Sequence, residues 1–196
     1  MAKKMLLAAV LVIAGISLSA SEGTFQLNTI FQHTTYSLFG TGGKDIIRLS
    51  SAGIGLKSTR GNGFQGTIDI ALLFPYNMEE KIYPASSFSQ RVISGFPIAL
   101  DSVIGMGYMF NLSPMMFLVS GGFHTGALLE GGAFLVSFGL GADAQVFVKY
   151  GKVLTAQIGL KFAVDFWGTQ TFVPGSNQFF GFPLTFGIYT GLGLKY

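Results

Sequence analysis

The stretch from Phe134 to Phe166 alternates between apolar and less apolar residues with a single interruption. Every even-numbered residue from Phe134 to Tyr150 is apolar, and after Gly151-Lys152-Val153 the even-numbered residues from Leu154 to Phe166 are apolar again. Successive side chains of a β-strand point to opposite faces of the sheet, so residues two apart share a face. The stretch therefore predicts a long β-hairpin with one continuous apolar face.

Six further segments alternate in the same way and are separated by turn-forming residues, which predicts eight strands in all. The six are Thr24–Phe39, Ile46–Ser58, Phe64–Phe74, Leu100–Phe110, Phe117–Phe123 and Leu184–Tyr196. The connections are predicted to alternate in length, which would place short turns at one end and longer loops at the other. The longer ones are Gly40–Asp45, Pro75–Pro97, Gly126–Gly132 and Gly168–Gly181; the shorter ones are Thr59–Gly63, Asn111–Pro114 and Gly151–Val153.

The composition favours a membrane barrel over a water-soluble one. Charged residues make up 11% of the chain, against about 25% in typical soluble domains. Beyond the N-terminal region no apolar run is long enough for a membrane helix, and the other way to span lipid is a closed barrel. A soluble barrel of the lipocalin kind would turn polar residues outward, but here the less apolar face is mostly Gly, Ser, Thr and Ala. The predicted fold class is all-β, an eight-stranded antiparallel up-and-down transmembrane β-barrel.

The N-terminal residues 1–20 have the layout of a secretory signal peptide, with Lys3 and Lys4, an apolar segment from Met5 to Ile16 and small residues after it. A retained anchor is the alternative. The predicted barrel domain is then 21–196. Removing residues 1–20 takes away two of the 12 Lys and Arg residues and none of the 9 acidic residues, which leaves a net charge of +1. No basic stripe indicates nucleic-acid binding, and the absence of cysteine excludes disulfides and thiolate metal sites.

The face opposite the apolar one carries four lysines and four aspartates, which we expect to meet inside the barrel as a charge network. An eight-stranded barrel is just wide enough for side chains to fill it, so the network is interpreted as a plug of ion pairs, with an ion-lined path as the alternative. A three-residue hairpin loop after Tyr150 places Asp143 directly across from Lys161. The predicted network is Lys57, Asp69, Asp101, Asp143, Lys149, Lys161, Asp165 and Lys195.

Several residues near the strand ends are predicted to face outward, where aromatic girdles mark the membrane interfaces. Arg48 shares the outward face of its strand and is expected to reach lipid headgroups, whereas Trp167 is predicted to point inward or to the rim. The outward aromatics are Phe74, Phe166, Phe110, Tyr150 and Tyr196.

The sequence gives little support for catalysis. The two histidines, His33 and His124, lack metal-ligand spacing, so we predict no metal site, no cofactor and no catalytic residues. Outer-membrane lipid A deacylases carry a His-x-Ser motif, but here His124 is followed by Thr125 and Gly126. His124 is interpreted as a hydrogen-bonded interior residue. The predicted Pro75–Pro97 loop offers four aromatics that either contact a partner or pack on the rim, namely Tyr76, Tyr83, Phe88 and Phe96.

The chain resembles the small outer-membrane β-barrels of the OmpA-domain, OmpX and OmpW type, through its alternating strands and its last strand, Leu184–Tyr196. The resemblance implies export to the bacterial outer membrane, contact with outer-membrane lipid and recognition of Tyr196 by the barrel-assembly machinery. Three functions compete. The first is a non-enzymatic barrel whose loops bind an extracellular partner or which stabilises the membrane. The second is passage of small hydrophobic molecules, and the third is a lipid-modifying enzyme.

Overall fold

A computed structural model describes residues 23–40, 43–61, 63–81, 87–91, 95–112, 114–171, 178–179 and 182–195. These residues form ten β-strands, eight long and two of two residues each. They are β1 (Gly23–Gly40), β2 (Gly43–Arg60), β3 (Phe64–Lys81), β4 (Ser89–Gln90), β5 (Ile98–Leu112), β6 (Met115–Glu130), β7 (Ala133–Tyr150), β8 (Leu154–Gln170), β9 (Gln178–Phe179) and β10 (Leu184–Lys195). The predicted signal peptide and Tyr196 lie outside the described residues.

The eight long strands form one closed antiparallel barrel, which confirms the predicted fold class. Each long strand pairs with the next long strand along the chain, and β10 pairs with both β8 and β1 to complete the ring. Closure satisfies the backbone of every long strand on both sides over most of its length, which is what a lipid environment requires. Among the described residues, no helix is long and apolar enough to cross a membrane.

The barrel is apolar on its outer wall and mostly polar inside, the reverse of a water-soluble barrel. On β10 the outward residues include Leu184, Phe186, Ile188, Leu192 and Leu194, which are all exposed. Ten residue steps of roughly 3.3 Å, tilted by about 40°, give an apolar band roughly 25 Å tall. Such a wall is stable only when covered by other apolar material, because exposed apolar patches this large are rare on soluble monomers.

The strands extend further towards the loop end than the alternation predicted. The expected loop Pro75–Pro97 is wrong at its start, because β3 continues to Lys81. Pro75 cannot donate a backbone hydrogen bond, and it lies at an irregularity where the pairing between β2 and β3 shifts at Ser50 and Ser51. Beyond this bulge the buried positions change from odd to even, with Met78 buried, so the apolar alternation no longer marks the strand.

The predicted loops Gly126–Gly132 and Gly40–Asp45 are also wrong in extent. Strand β6 continues to Glu130, and only Gly131 and Gly132 connect it to β7. Both glycines have positive φ, 54° and 90°, as the tightest hairpin turns require. Two of the four loop-end connections are therefore as short as the turns at the other end.

A second pairing shift corrects the expectation for Trp167. Between Phe138 and Gly139 the partner on β8 changes from Trp167 to Asp165, which skips Phe166. Phe166 and Trp167 are consequently both exposed on the outer wall, and the Trp167 ring lies 5.2 Å from that of Phe138. Trp167 thus adds to the aromatic residues at the loop end. The predicted outward positions of Phe74, Phe166, Phe110 and Tyr150 are confirmed.

Candidate functional site: the filled lumen

The interior of the barrel is filled with side chains along most of its length. Large inward residues are cut off from solvent: Lys57 and Lys161 are 1% exposed and Phe147 is 0% exposed. In a water-filled channel such side chains would be hydrated. A polar belt lies between a small apolar cluster near the turn end (Met116, Leu118 and Phe147) and a larger apolar cluster that extends to the loop end (Ile30, Tyr36, Ile47, Leu49, Ala71, Leu73, Met78, Ala99, Leu128, Leu135 and Tyr189).

The first group in the polar belt joins β2, β7 and β10. The Lys57 ammonium donates to Asp143 and to the Tyr189 hydroxyl, the latter at 3.2 Å, and Tyr189 in turn donates to Asp143. Three strands that are not mutual neighbours are tied together at one carboxylate. The Tyr189 ring packs over Gly159, where a Cβ would approach the ring Cε2 to 2.8 Å. Gly159 therefore makes room for the only aromatic residue that β10 turns inward.

The second group joins β1, β3, β5 and β8. Lys161 Nζ donates to Asp69 at 3.1 Å and to Asp101, and Gln32 Nε2 donates to Asp101 Oδ2 at 2.9 Å. Both carboxylates belong to strands across the lumen from Lys161. Charge-assisted bonds of this kind are the strong ones, and each cation here has its compensating carboxylate within the wall.

The third group surrounds His124 on β6. Its Nδ1 lies 2.5 Å from Asp165 Oδ1 and its Nε2 lies 3.0 Å from Asp101 Oδ2. Ser137 donates to the other oxygen of Asp165. Ionised carboxylates only accept hydrogen bonds, so a ring bonded to two of them donates from both nitrogens and is an imidazolium. In that form the polar belt balances three cations against four aspartates.

The hydrogen bonds of this group join side chains from different strands. The Ser137 hydroxyl donates to Asp165 and not to the histidine that would have to activate it in a catalytic triad. His124 and Asp165 are both almost fully buried, at 2% and 1% exposed.

Six of the eight residues predicted for the charge network lie together in this belt, and two do not. Lys149 and Lys195 line a separate cavity at the turn end. The alternation predicted that the side chains of Lys149 and Lys195 point inward, but it did not predict their position along the barrel axis. The roles of Tyr189, Gln32 and Ser137 were missed. Tyr189 carried a signal, since it is the one large residue on a β10 face that otherwise holds small or short side chains and a final lysine.

Three of the four aromatics considered for partner contact lie among the described residues, at the loop end. Tyr76 and Phe96 are exposed, at 64% and 74%, and the Phe96 ring lies 5.5 Å from that of Phe74. Phe88 is covered by the Arg48 guanidinium, 3.8 Å above its ring. Tyr83 lies outside the described residues. Arg48 does face outward as predicted, and its structural partners are Phe88 and Glu79, the latter at 3.8 Å.

The segment after β3 is held against the barrel by Arg91. Its guanidinium lies 2.9 Å from Glu80 and 3.4 Å from the buried Glu130, and its backbone nitrogen donates to Met78. Strand β4 pairs with β3 through Glu79 and Glu80 just above. These contacts cover the edge of β3 beyond Leu73, where its pairing with β5 stops at Ala99.

Comparison with solved structures shows that the fold is that of small outer-membrane barrels. OprG from Pseudomonas aeruginosa is similar with a TM-score of 0.63 and 10% identity, covering 90% of this chain and 96% of that one. Neisserial surface protein A gives 0.58 and 12%, covering 89% and 97%. Ail, the attachment invasion locus protein of Yersinia pestis, gives 0.52 and 10%, covering 90% and 99%. The sequence matches no protein-family model and no curated protein sequence.

Proposed function

We propose that this chain is an integral protein of the bacterial outer membrane, exported by its signal peptide, with neither an enzymatic nor a pore function. The loop end carries its function: it contacts an extracellular partner, or the barrel stabilises the surrounding membrane. Outer-membrane lipid covers the apolar wall, and the barrel-assembly machinery recognises the last strand with Tyr196. The outward apolar band and the shared fold support the membrane location.

The observation that carries this proposal is the cross-linked lumen. Lys57, Lys161 and His124 each bond to carboxylates on strands across or around the barrel. Breaking such a group exposes an unpaired charge in a low-dielectric interior, which costs several kcal/mol. A lumen cross-linked in this way favours a rigid barrel whose loop end is available for contacts, and it opposes the flow of solutes through the barrel.

Extension of the barrel beyond the lipid supports a role for the loop end. Strands of 18 residues such as β1 and β3 are longer than the about 9–11 residues that cross a membrane. The surplus lies at the loop end, where Tyr76 and Phe96 are exposed. Aromatic residues are enriched in protein interfaces because they bury much area at low entropic cost. The similar Ail protein is an attachment invasion locus protein, which is in keeping with such a surface role.

Single-channel recording in planar bilayers tests the proposal. The reconstituted barrel should give no steady conductance, with a large water-filled porin in a parallel bilayer as the positive control. Steady conductance at the single-molecule level would overturn the closed lumen. Binding of labelled cells to host surfaces, compared with a Tyr76→Ser and Phe96→Ser variant, tests the loop end: loss of adhesion in the variant supports it, and equal adhesion leaves only the membrane-stabilising role.

A second function, passage of small hydrophobic molecules, is favoured by one feature of the wall. The pairing of β8 with β10 stops at Val164 and Leu184, so on this side β8 continues upward with only the short β9 as a partner strand among the described residues, while its other side stays paired with β7. The loop-end apolar cluster lies inside this part of the barrel. A hydrophobic solute would enter that cluster and leave sideways into the lipid. Faster uptake of a hydrophobic fluorescent dye by cells that express the barrel would support this route, and unchanged uptake would remove it.

A further inference from the structure

The turn end of the lumen contains a cavity of about 80 Å³ into which two lysines reach. Lys149 is the penultimate residue of β7 and Lys195 the last of β10, so both come from the turn end of the wall, on strands that β8 separates. Met116 of the small apolar cluster closes the cavity towards the middle of the barrel. The cavity is larger than one water needs.

The charge of this cavity is not compensated by the part of the chain that the structure describes. Among the described residues no acidic side chain lines it, and the described aspartates and glutamates all lie in the polar belt or at the loop end. The two deeper lysines, Lys57 and Lys161, are each matched by aspartates. Lys149 and Lys195 line the same small cavity, and like charges that approach each other repel, a cost that an anion between them would remove.

A third residue of the cavity selects among anions. Gln65 donates its Nε2 to the Gly61 carbonyl at 3.3 Å and to Met109 Sδ at 3.5 Å. Its Oε1 is buried and has no hydrogen-bond partner among the described residues. A buried acceptor left without a partner is costly. An occupant that carries both negative charge and an O–H donor would satisfy the lysines and Gln65 together, and hydrogen phosphate has this combination.

We propose that this cavity is a binding site for a protonated oxyanion of the phosphate class, held by Lys149 and Lys195 and oriented by Gln65. Anion binding at this site does not depend on the function proposed for the loop end. The proposed orientation, with the loop end outside the cell, decides only that the cavity faces the periplasm. The phosphate group comes either from a free phosphate compound or from a lipid headgroup at the rim.

Calorimetric titration of the purified barrel with inorganic phosphate tests the site. The protein is kept in maltoside micelles, which contain no phosphate, at neutral pH and low ionic strength. We expect saturable binding of one phosphate per barrel and about tenfold weaker binding in Lys149→Gln and in Lys195→Gln, with sulfate binding more weakly than phosphate because it has no donor for Gln65. Lys152→Gln, an exposed lysine in the adjacent turn, is the matched control and should change the affinity less than twofold. Heat-modifiable gel mobility establishes that each variant is folded, and Lys149→Arg, which keeps the charge, should bind nearly as well as the wild type.

Two further arms identify the source of the anion. If phosphatidic acid, whose phosphomonoester carries an O–H near neutral pH, is added to the micelles and competes with inorganic phosphate, the site takes a lipid headgroup; if it does not compete, the ligand is a free phosphate compound. Absence of saturable binding, or an equal loss in Lys152→Gln, would overturn the proposal. Binding that appears only in Glu22→Gln would also overturn it, since the chain's own Glu22 would then be the counter-charge.

Discussion

Asp143 and Lys161 lie directly opposite each other on β7 and β8 and both face the lumen, yet neither is the other's ionic partner. Asp143 forms an ion pair with Lys57 on β2. Lys161 forms ion pairs with Asp69 on β3 and Asp101 on β5. Backbone hydrogen bonds already join neighbouring strands, so a local ion pair would add little cross-linking. Pairs across the lumen connect opposite walls instead.

Replacing Lys161 should destabilise the barrel severely. In Lys161→Met the length of the side chain is nearly kept, but Asp69 loses its cation and Asp101 keeps only His124, both in a buried setting, which costs about 3–5 kcal/mol. Urea unfolding in lipid vesicles measures the loss. Lys152→Met, in an exposed turn, should change stability by less than about 0.5 kcal/mol. The triple variant with Asp69→Asn and Asp101→Asn should recover much of the lost stability; an equally unstable triple variant would contradict the charge argument.

Gly159 should not tolerate a methyl group while Tyr189 is present. The Tyr189 ring occupies the space that a Cβ would need, so Gly159→Ala should cost about 1–3 kcal/mol through overpacking. In a Tyr189→Ala background the same substitution should cost far less, because the ring is gone. A double-mutant cycle on unfolding free energies measures this coupling, and strictly additive values would show that the two residues do not contact each other.

The turn between β6 and β7 should depend on its second glycine for backbone reasons alone. Gly132 has φ of 90° and nothing near the position of an added Cβ, so Gly132→Ala meets only conformational strain of about 1–2 kcal/mol. Gly131→Asn should be tolerated, since Asn-Gly suits this turn. Gly66→Ala, at an open site with ordinary φ, is the control and should be close to neutral in the same unfolding assay.

Removal of the Arg91 guanidinium should loosen β4 from the wall. Arg91→Ala loses contacts to Glu80 and Glu130, and amide exchange at Ser89 and Gln90 should accelerate about tenfold, the equivalent of roughly 1.4 kcal/mol. Arg48→Ala removes an exposed arginine with a longer, 3.8 Å contact and should have a smaller effect. Exchange at the wild-type rate in Arg91→Ala would show that Arg91 does not hold this segment.

Loss of His124 should weaken the barrel without changing lipid chemistry. His124→Asn removes hydrogen bonds to Asp101 and Asp165, and we expect a loss of about 1–3 kcal/mol in the unfolding assay. Mass spectra of lipid A from cells that express wild type or variant should be identical. A lipid A species present with wild type and absent with the variant would restore the enzymatic hypothesis.

Prediction from the sequence was strongest where lipid imposes a strict pattern. The hairpin opposition of Asp143 and Lys161 followed from alternation and loop length alone and is confirmed. The prediction failed near the loop end, where the wall leaves the membrane. The bulges at Pro75 and beside Gly139 each shift the buried positions by one residue. The first shift hid the end of β3 from the alternation, and the second turned Trp167 outward. Outside lipid nothing forces outward residues to be apolar, so the period fades there.

The sequence by itself determined the number of barrel strands, the apolar outer face and most of the inward charges, because each depends on the two-residue period along a single strand. Only the tertiary structure decided which charges meet. Closure and tilt of the wall set the height of every inward side chain, bringing Lys57 to Asp143 and His124 to Asp165, while leaving Lys149 and Lys195 in a cavity of their own. Contacts across a lumen depend on all eight strands at once, and no local pattern carries that information.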